Sequence, residues 1–301
     1  QRGDVATFQH PAAAFTVAEG WSCGDFPCED DIDGFLQRIR VPDGYALEHV
    51  GRFPGQPLQI AYGPDGRLYA TTLTSALRDG ALFVMDDQGR VERYSDMDFI
   101  SPLGLAFQPG TDTLYVSARL EAMRGGGIWQ VLPDGSAELI IDDLPCCFSV
   151  IDNQPNGMTF GPDGYLYIGV GSLTDRAEPR FPERQRFADM HPWEASILRV
   201  QPHTGAVEVY AEGIRNPYDL TFDADGQLYV TDNGLLDGPG DRVLRVEQGG
   251  HYGWPYWRSR GCADCPLTDL RLDIQPDFVR FPPYTLPRGI AAYTGQQFPQ
   301  N

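Results

Sequence analysis

PNGMTFGPDGYLYIGVG, residues 155–171, reads as strand, tight turn, strand. Apolar and polar residues alternate on either side of Gly161-Pro162-Asp163-Gly164, the period-2 signature of half-buried strands. In the turn, Pro presets φ, Asp bonds its own backbone, and Gly takes the left-handed position.

The phrase recurs. PLQIAYGPDGRLYATTL starts at Pro57, PLGLAFQPGTDTLYVSA at Pro102 and PYDLTFDADGQLYVTDN at Pro217, and a shorter relative, PRGIAAYTGQQF, starts at Pro287. The periods are 45, 53, 62 and 70 residues, lengthening through insertions between strands. Two further strands follow in each unit, as in GALFVMDDQGRVERYSD (80–96), GGIWQVLPDGSAELIIDD (126–143) and ASILRVQPHTGAVEVYAEG (195–213). Four short antiparallel strands repeated at about 45 residues make the blade of an all-β propeller. The expected division is an N-terminal extension over 1–40 and one propeller domain over 41–301. In that domain VPDGYALEHVGRF, residues 41–53, is a lone outer strand available to close the ring. Four full units and the start of a fifth fit the 301 residues. A six-bladed ring needs roughly 100 residues more, so the last blade or blades are expected from a missing C-terminal segment or a partner chain.

Composition fits this architecture. Gly 34 and Pro 25 supply many turns and argue against long helices. The net charge of −19, from 42 acidic against 23 basic residues, leaves no basic stripe for nucleic acid. No apolar run reaches the roughly 18–20 residues of a membrane span. Every basic residue apart from histidine is arginine.

The six cysteines fall as Cys23-x4-Cys28, Cys146-Cys147 and Cys262-x2-Cys265. Three close pairs in an even count read as disulfides of a secreted or periplasmic protein. The rival is a four-thiolate zinc site, which needs two distant pairs to meet. For Cys146-Cys147 three states stay open: a bond to each other, two thiols, or bonds to other cysteines.

Over about residues 45–299 the sequence resembles the soluble quinoprotein glucose/sorbosone dehydrogenases, also called aldose sugar dehydrogenases. NGMTFGPDGYLYIGVGS carries the likeness, as does GIRNPYDLTFDADGQLYVTDNGLLDGPGD (213–241) followed by GGHYGWPYW (249–257). The resemblance implies a six-bladed propeller with pyrroloquinoline quinone (PQQ) and calcium on one face, oxidising a sugar or a related alcohol or aldehyde. Arg215 and Asn216 match the pair that contacts the quinone. A tricarboxylate ortho-quinone suits a planar guanidinium and an amide donor. Gly234 and Leu235 match positions whose backbone carbonyls hold calcium, with Asp232 close by in a loop rich in oxygen ligands.

Two departures stand out. An acidic residue of that loop is Arg242 here, and the position of the histidine base falls on Asn153. Asn has no useful basicity, whereas His works near neutrality. His191 and His251 lie in later segments, and Asp152 is the neighbouring carboxylate that could substitute if burial raised its pKa. Three readings follow. The first is a quinoprotein dehydrogenase, and the second a non-catalytic propeller that binds a partner or ligand. The third is a lactonase-like hydrolase recruiting Asn153, Asn156 and Asp232. HYGWPYW is either a sugar-stacking platform or a loop packed on its own blade.

Overall fold

The computed structural model describes residues 6–7, 36, 39–75, 79–121, 124–147, 155–173, 191–234, 240–255 and 273–295. A two-residue strand, β1 (Ala6–Thr7), precedes the repeats. The first blade is β2 (Gln56–Tyr62), β3 (Leu68–Leu73), β4 (Asp79–Met85) and β5 (Val91–Arg93). After the short β6 (Phe99–Ile100), the second blade is β7 (Leu105–Phe107), β8 (Leu114–Glu121), β9 (Arg124–Val131) and β10 (Ala137–Leu144). The third is β11 (Pro155–Phe160), β12 (Leu166–Val170), β13 (Ser196–Val200) and β14 (Val207–Glu212). The fourth is β15 (Pro217–Phe222), β16 (Leu228–Asp232), β17 (Arg242–Val246) and β18 (Val279–Arg280). Each blade pairs its strands antiparallel in chain order, and β6 bridges β4 to β8, joining the first two blades in one sheet. The architecture is a β-propeller, as the repeat predicts.

The segment over 41–53 differs from expectation, because residues 40–55 carry no strand. The outer edge of the fourth blade is instead extended by β1, which pairs parallel to β18 with Ala6 opposite Val279.

The repeated phrase explains itself in the turns. Asp65 accepts the Arg67 amide at 3.0 Å and the Tyr69 hydroxyl at 2.9 Å. Asp163 does the same for Tyr165 at 3.2 Å and Tyr167 at 2.9 Å. In the second blade Gln108 takes over as acceptor for Tyr115 at 3.3 Å. In the first three blades the Leu-Tyr pair thus starts the second strand with its tyrosine tied back to the turn, the hydroxyl paired and the ring in the core.

The core lies between blades. Tyr115, Ile128 and Leu144 of the second blade pack with Met158, Ile168 and Leu198 of the third. Ile197 and Ile214 pack likewise with Leu220, Val230 and Leu244. A recurring polar stitch fixes the spacing. At the fourth position of the second strand, Thr71 donates to Leu103 O at 2.8 Å in the next blade, and Ser117 to Asn156 O at 2.8 Å. Thr231 donates to Arg288 O at 3.0 Å, which places the 288–291 segment where a next inner strand would run.

The third blade has Gly169 at that position, and a Cβ there would lie 2.3 Å from Pro217 O. That carbonyl is already satisfied by Asn156 Nδ2 at 2.9 Å. We therefore expect Gly169→Ser, which supplies the hydroxyl the other blades carry, to destabilise by about 1–3 kcal/mol, as overpacking against backbone does. Equilibrium urea unfolding measures it, and a neutral or stabilising result would refute the stitch.

Candidate active site

The N-terminal ends of the inner strands form one rim. Three inner strands carry a register shift at the same place, between Pro57 and Gln59, Pro155 and Met158, and Pro217 and Asp219. Such bulges re-aim side chains, and the residue two after the repeat's proline falls at this end of each inner strand. Two blades place glycine there, Gly104 and Gly157, while the first and fourth place Gln59 and Asp219. A Cβ on Gly157 would sit 2.4 Å from Asp219 Oδ1, so the glycine makes room for the carboxylate.

Gln59 Nε2 donates to Asp219 Oδ1 at 2.9 Å, and Gln59 Oε1 accepts the Leu105 amide at 2.9 Å. Asp219 Oδ2 accepts the Ile290 amide at 3.0 Å. Gln59, Asp219 and Ile290 line a cavity of ≈ 470 Å³, together with Ile60, Met158, Tyr218 and Thr221. Asp219 is 8% exposed, and burial pushes its carboxyl up to about 6 although its hydrogen bonds pull the other way. Asp219 was not singled out from the sequence. The missed signal was an acid at a repeat position where two of the other blades carry glycine.

At the joint of blades three and four, the matched Arg-Asn pair meets Asn156. Asn156 Nδ2 donates to Asn216 Oδ1 at 2.9 Å, and the Asn216 amide donates to Asp232 Oδ1 at 2.9 Å. Asn216 is buried, so it braces the rim from within. Arg215 is half-buried; its Nη1 donates to Asn233 O at 2.8 Å and Gly234 O at 3.2 Å, and its own carbonyl accepts from Ser172 N at 2.8 Å. The buried amide oxygens of Asn156 and Asn233 have no hydrogen-bond partner among the described residues.

Asp232 Oδ2 accepts Arg242 Nε at 2.8 Å. Arg242 also reaches Asp277 Oδ1 at 2.9 Å and Gly213 O at 3.4 Å, and Asp277 Oδ2 accepts Arg280 at 2.7 Å. Burial alone would lower the Arg242 pKa, but the two carboxylates outweigh it and raise it.

The expected residues Asp152, Asn153 and Leu235 lie outside the described residues, as do Cys23, Cys28, Cys262 and Cys265. Cys146 and Cys147 are bonded to each other across a cis peptide with Cα atoms 3.1 Å apart, both buried. The histidines serve their own loops: His191 Nδ1 accepts from Trp193 N and His251 Nδ1 from Gly253 N, each at 3.1 Å. Burial lowers the pKa of both. Tyr252 and Trp254 are buried, their amides bonding Glu212 O and Gly213 O at 2.9 Å. This part of the aromatic motif is a loop packed on its blade, where it steadies the turn leading into Arg215.

Comparison with known proteins comes to the same place. Residues 151–301 match the family model described as Glucose / Sorbosone dehydrogenase. Quinoprotein glucose dehydrogenase B of Acinetobacter calcoaceticus is 24% identical, with 66% of this chain and 50% of that protein covered. The chain thus spans half the length of that curated relative. Two solved structures share the fold. The PQQ-bound aldose sugar dehydrogenase of Streptomyces coelicolor has a TM-score of 0.54 at 23% identity, covering 71% of this chain and 67% of its own. An oxidoreductase of Thermus thermophilus, assigned as a glucose dehydrogenase, has a TM-score of 0.57 at 23% identity, covering 73% and 70%.

The raised Asp219 carboxyl has a consequence for stability. The fold holds its neutral form, so between about pH 4 and pH 6 the folded state binds more protons than the unfolded state, and this contribution falls as pH rises. Relative to Asp219→Asn, the wild type should lose up to about 3 kcal/mol across that window. Urea unfolding of both proteins at several pH values measures it; parallel profiles would show that Asp219 titrates as an ordinary acid.

Proposed function

The chain belongs to the Glucose / Sorbosone dehydrogenase family, and from that premise we propose that its rim binds PQQ and oxidises a sugar or a related alcohol or aldehyde. The observation that carries this is Arg215, a half-buried guanidinium fixed on the Asn233 and Gly234 carbonyls beside the Asn156–Asn216 pair. The residues fit the quinone. A carboxylate-rich planar ligand gains a charge-assisted bond from Arg215, and the buried Asn233 amide oxygen offers an acceptor to a ligand N–H.

When bound, PQQ supplies the two-electron acceptor. The chain must take the proton from the substrate hydroxyl. We assign that role to Asp152, since Asn153 at the base position cannot accept a proton. Gly234, Leu235 and Asp232 were expected to hold calcium, and the donors described do not suit it, because Gly234 O and both Asp232 oxygens already receive N–H groups.

The same reading extends to the setting. The close cysteine pairs support a secreted or periplasmic protein, and among the described residues no helix is long and apolar enough to cross a membrane. Exposed Ile60 and Tyr62 on β2, with the repeat period, support a ring of more than four blades completed by further chain or by a partner. Within it residues 41–301 carry the blades, and residues 1–40 are an N-terminal extension whose β1 edges the fourth blade.

Asn153 favours a second reading, a propeller that keeps the pocket and has lost turnover. Reconstitution with PQQ, followed by absorbance titration and dye-linked assay over aldoses and alcohols, separates the two. Stoichiometric binding with turnover is expected, and Arg215→Met should weaken binding about 10- to 100-fold, the worth of a charged hydrogen bond. Binding without turnover would select the second reading, and no binding would refute both.

A further inference from the structure

We infer that in this chain two guanidinium groups, Arg215 and Arg242, hold the rim in the place of a divalent cation, so that an anionic quinone binds there without calcium. The inference rests on the reading of the rim as a quinone site. It begins from where the oxygens point.

Calcium takes six to eight oxygen ligands, most of them carboxylates and carbonyls free to turn toward it. The oxygens described here are directed elsewhere. Asp232 gives Oδ1 to the Asn216 amide and Oδ2 to Arg242 Nε, at 2.9 and 2.8 Å. Asp241 gives Oδ1 to the Gly234 amide and Oδ2 to the Leu286 amide, both at 2.8 Å. Asp277 gives its oxygens to Arg242 and Arg280 at 2.9 and 2.7 Å. Gly234 O, the carbonyl that should face a metal, accepts from Arg215 at 3.2 Å. Among the described residues no three His, Cys, Asp or Glu side chains gather as a cation cage.

A divalent ion entering here would have to displace guanidinium donors and sit beside two fixed positive charges. Those charges already do what a metal does at such a rim. Arg242, 1% exposed, draws Asp232, Asp277 and the Gly213 carbonyl together, and through Asp232 it fixes the Asn216 backbone. Arg215, half-buried, holds the Asn233–Gly234 carbonyls and brings a second positive charge to the rim. Guanidinium stays charged at any working pH, so neither chelator nor mild acid should dismantle the arrangement.

The test has two arms on the wild-type protein. In the first, without quinone, equilibrium dialysis against calcium at up to 1 mM and thermal melts in calcium or EDTA should show no stoichiometric binding and a midpoint shift below 1 °C. In the second, PQQ titrated by absorbance should bind with affinities in EDTA and in calcium that agree within threefold. Stoichiometric calcium uptake below 100 µM, or quinone affinity raised tenfold or more by calcium, would overturn the inference. Absence of quinone binding under both conditions would refute the proposed function instead, and the calcium arm alone would then decide this one.

Discussion

The rim depends on one buried cation. Arg242 sits almost wholly out of water with Asp232 on one side and Asp277 on the other. Such an arrangement is a weak source of net stability, because desolvating three charges offsets most of their attraction. Its consequence is positional. Asp232 ends the second strand of its blade, Asp277 precedes the last, and Gly213 leads into the Arg215–Asn216 pair. Removing the cation would leave the Asp232 carboxylate buried without its guanidinium and Asp277 with Arg280 still beside it, so all three segments are bound to one geometry.

From that centre a continuous line of hydrogen bonds crosses three blades. Arg242 holds Asp232, Asp232 holds Asn216, Asn216 holds Asn156, and the Asn156 carbonyl accepts from Ser117. Elsewhere the blades are stitched by a Thr or Ser hydroxyl. At the joint where the Arg-Asn pair lies, the stitch is Asn156 and the hydroxyl position is Gly169. The fold and the candidate site therefore share atoms, and a substitution that alters blade spacing there alters the rim as well.

The strands and turns were legible because their signals are local: period-2 alternation, a Pro-Asp-Gly turn, and a Leu-Tyr start whose hydroxyl returns to the turn. The Arg215–Asn216 pair was legible through its motif. Less legible was the inward turn of Asn216, which follows from Asp232 and Asn156 approaching from other strands. Asp219 escaped because its meaning comes from Gln59, 160 residues away across the axis. Likewise Arg242 read as a lost ligand until Asp277, far along the chain, supplied its second carboxylate. The 41–53 segment misled because a turn signal and alternating residues do not say which blade edge is open, and β18 took β1 instead.

A double-mutant cycle on Arg242 and Asp232 tests the central claim most directly. The variants Arg242→Met and Asp232→Asn, and the pair together, would be compared by equilibrium urea unfolding. Each single change should cost about 3–5 kcal/mol, as breaking a buried pair does. The double should cost at least about 2 kcal/mol less than the two singles combined. Losses that add within about 0.5 kcal/mol would mean that the two side chains are energetically independent, and that the rim is held by something other than this cation.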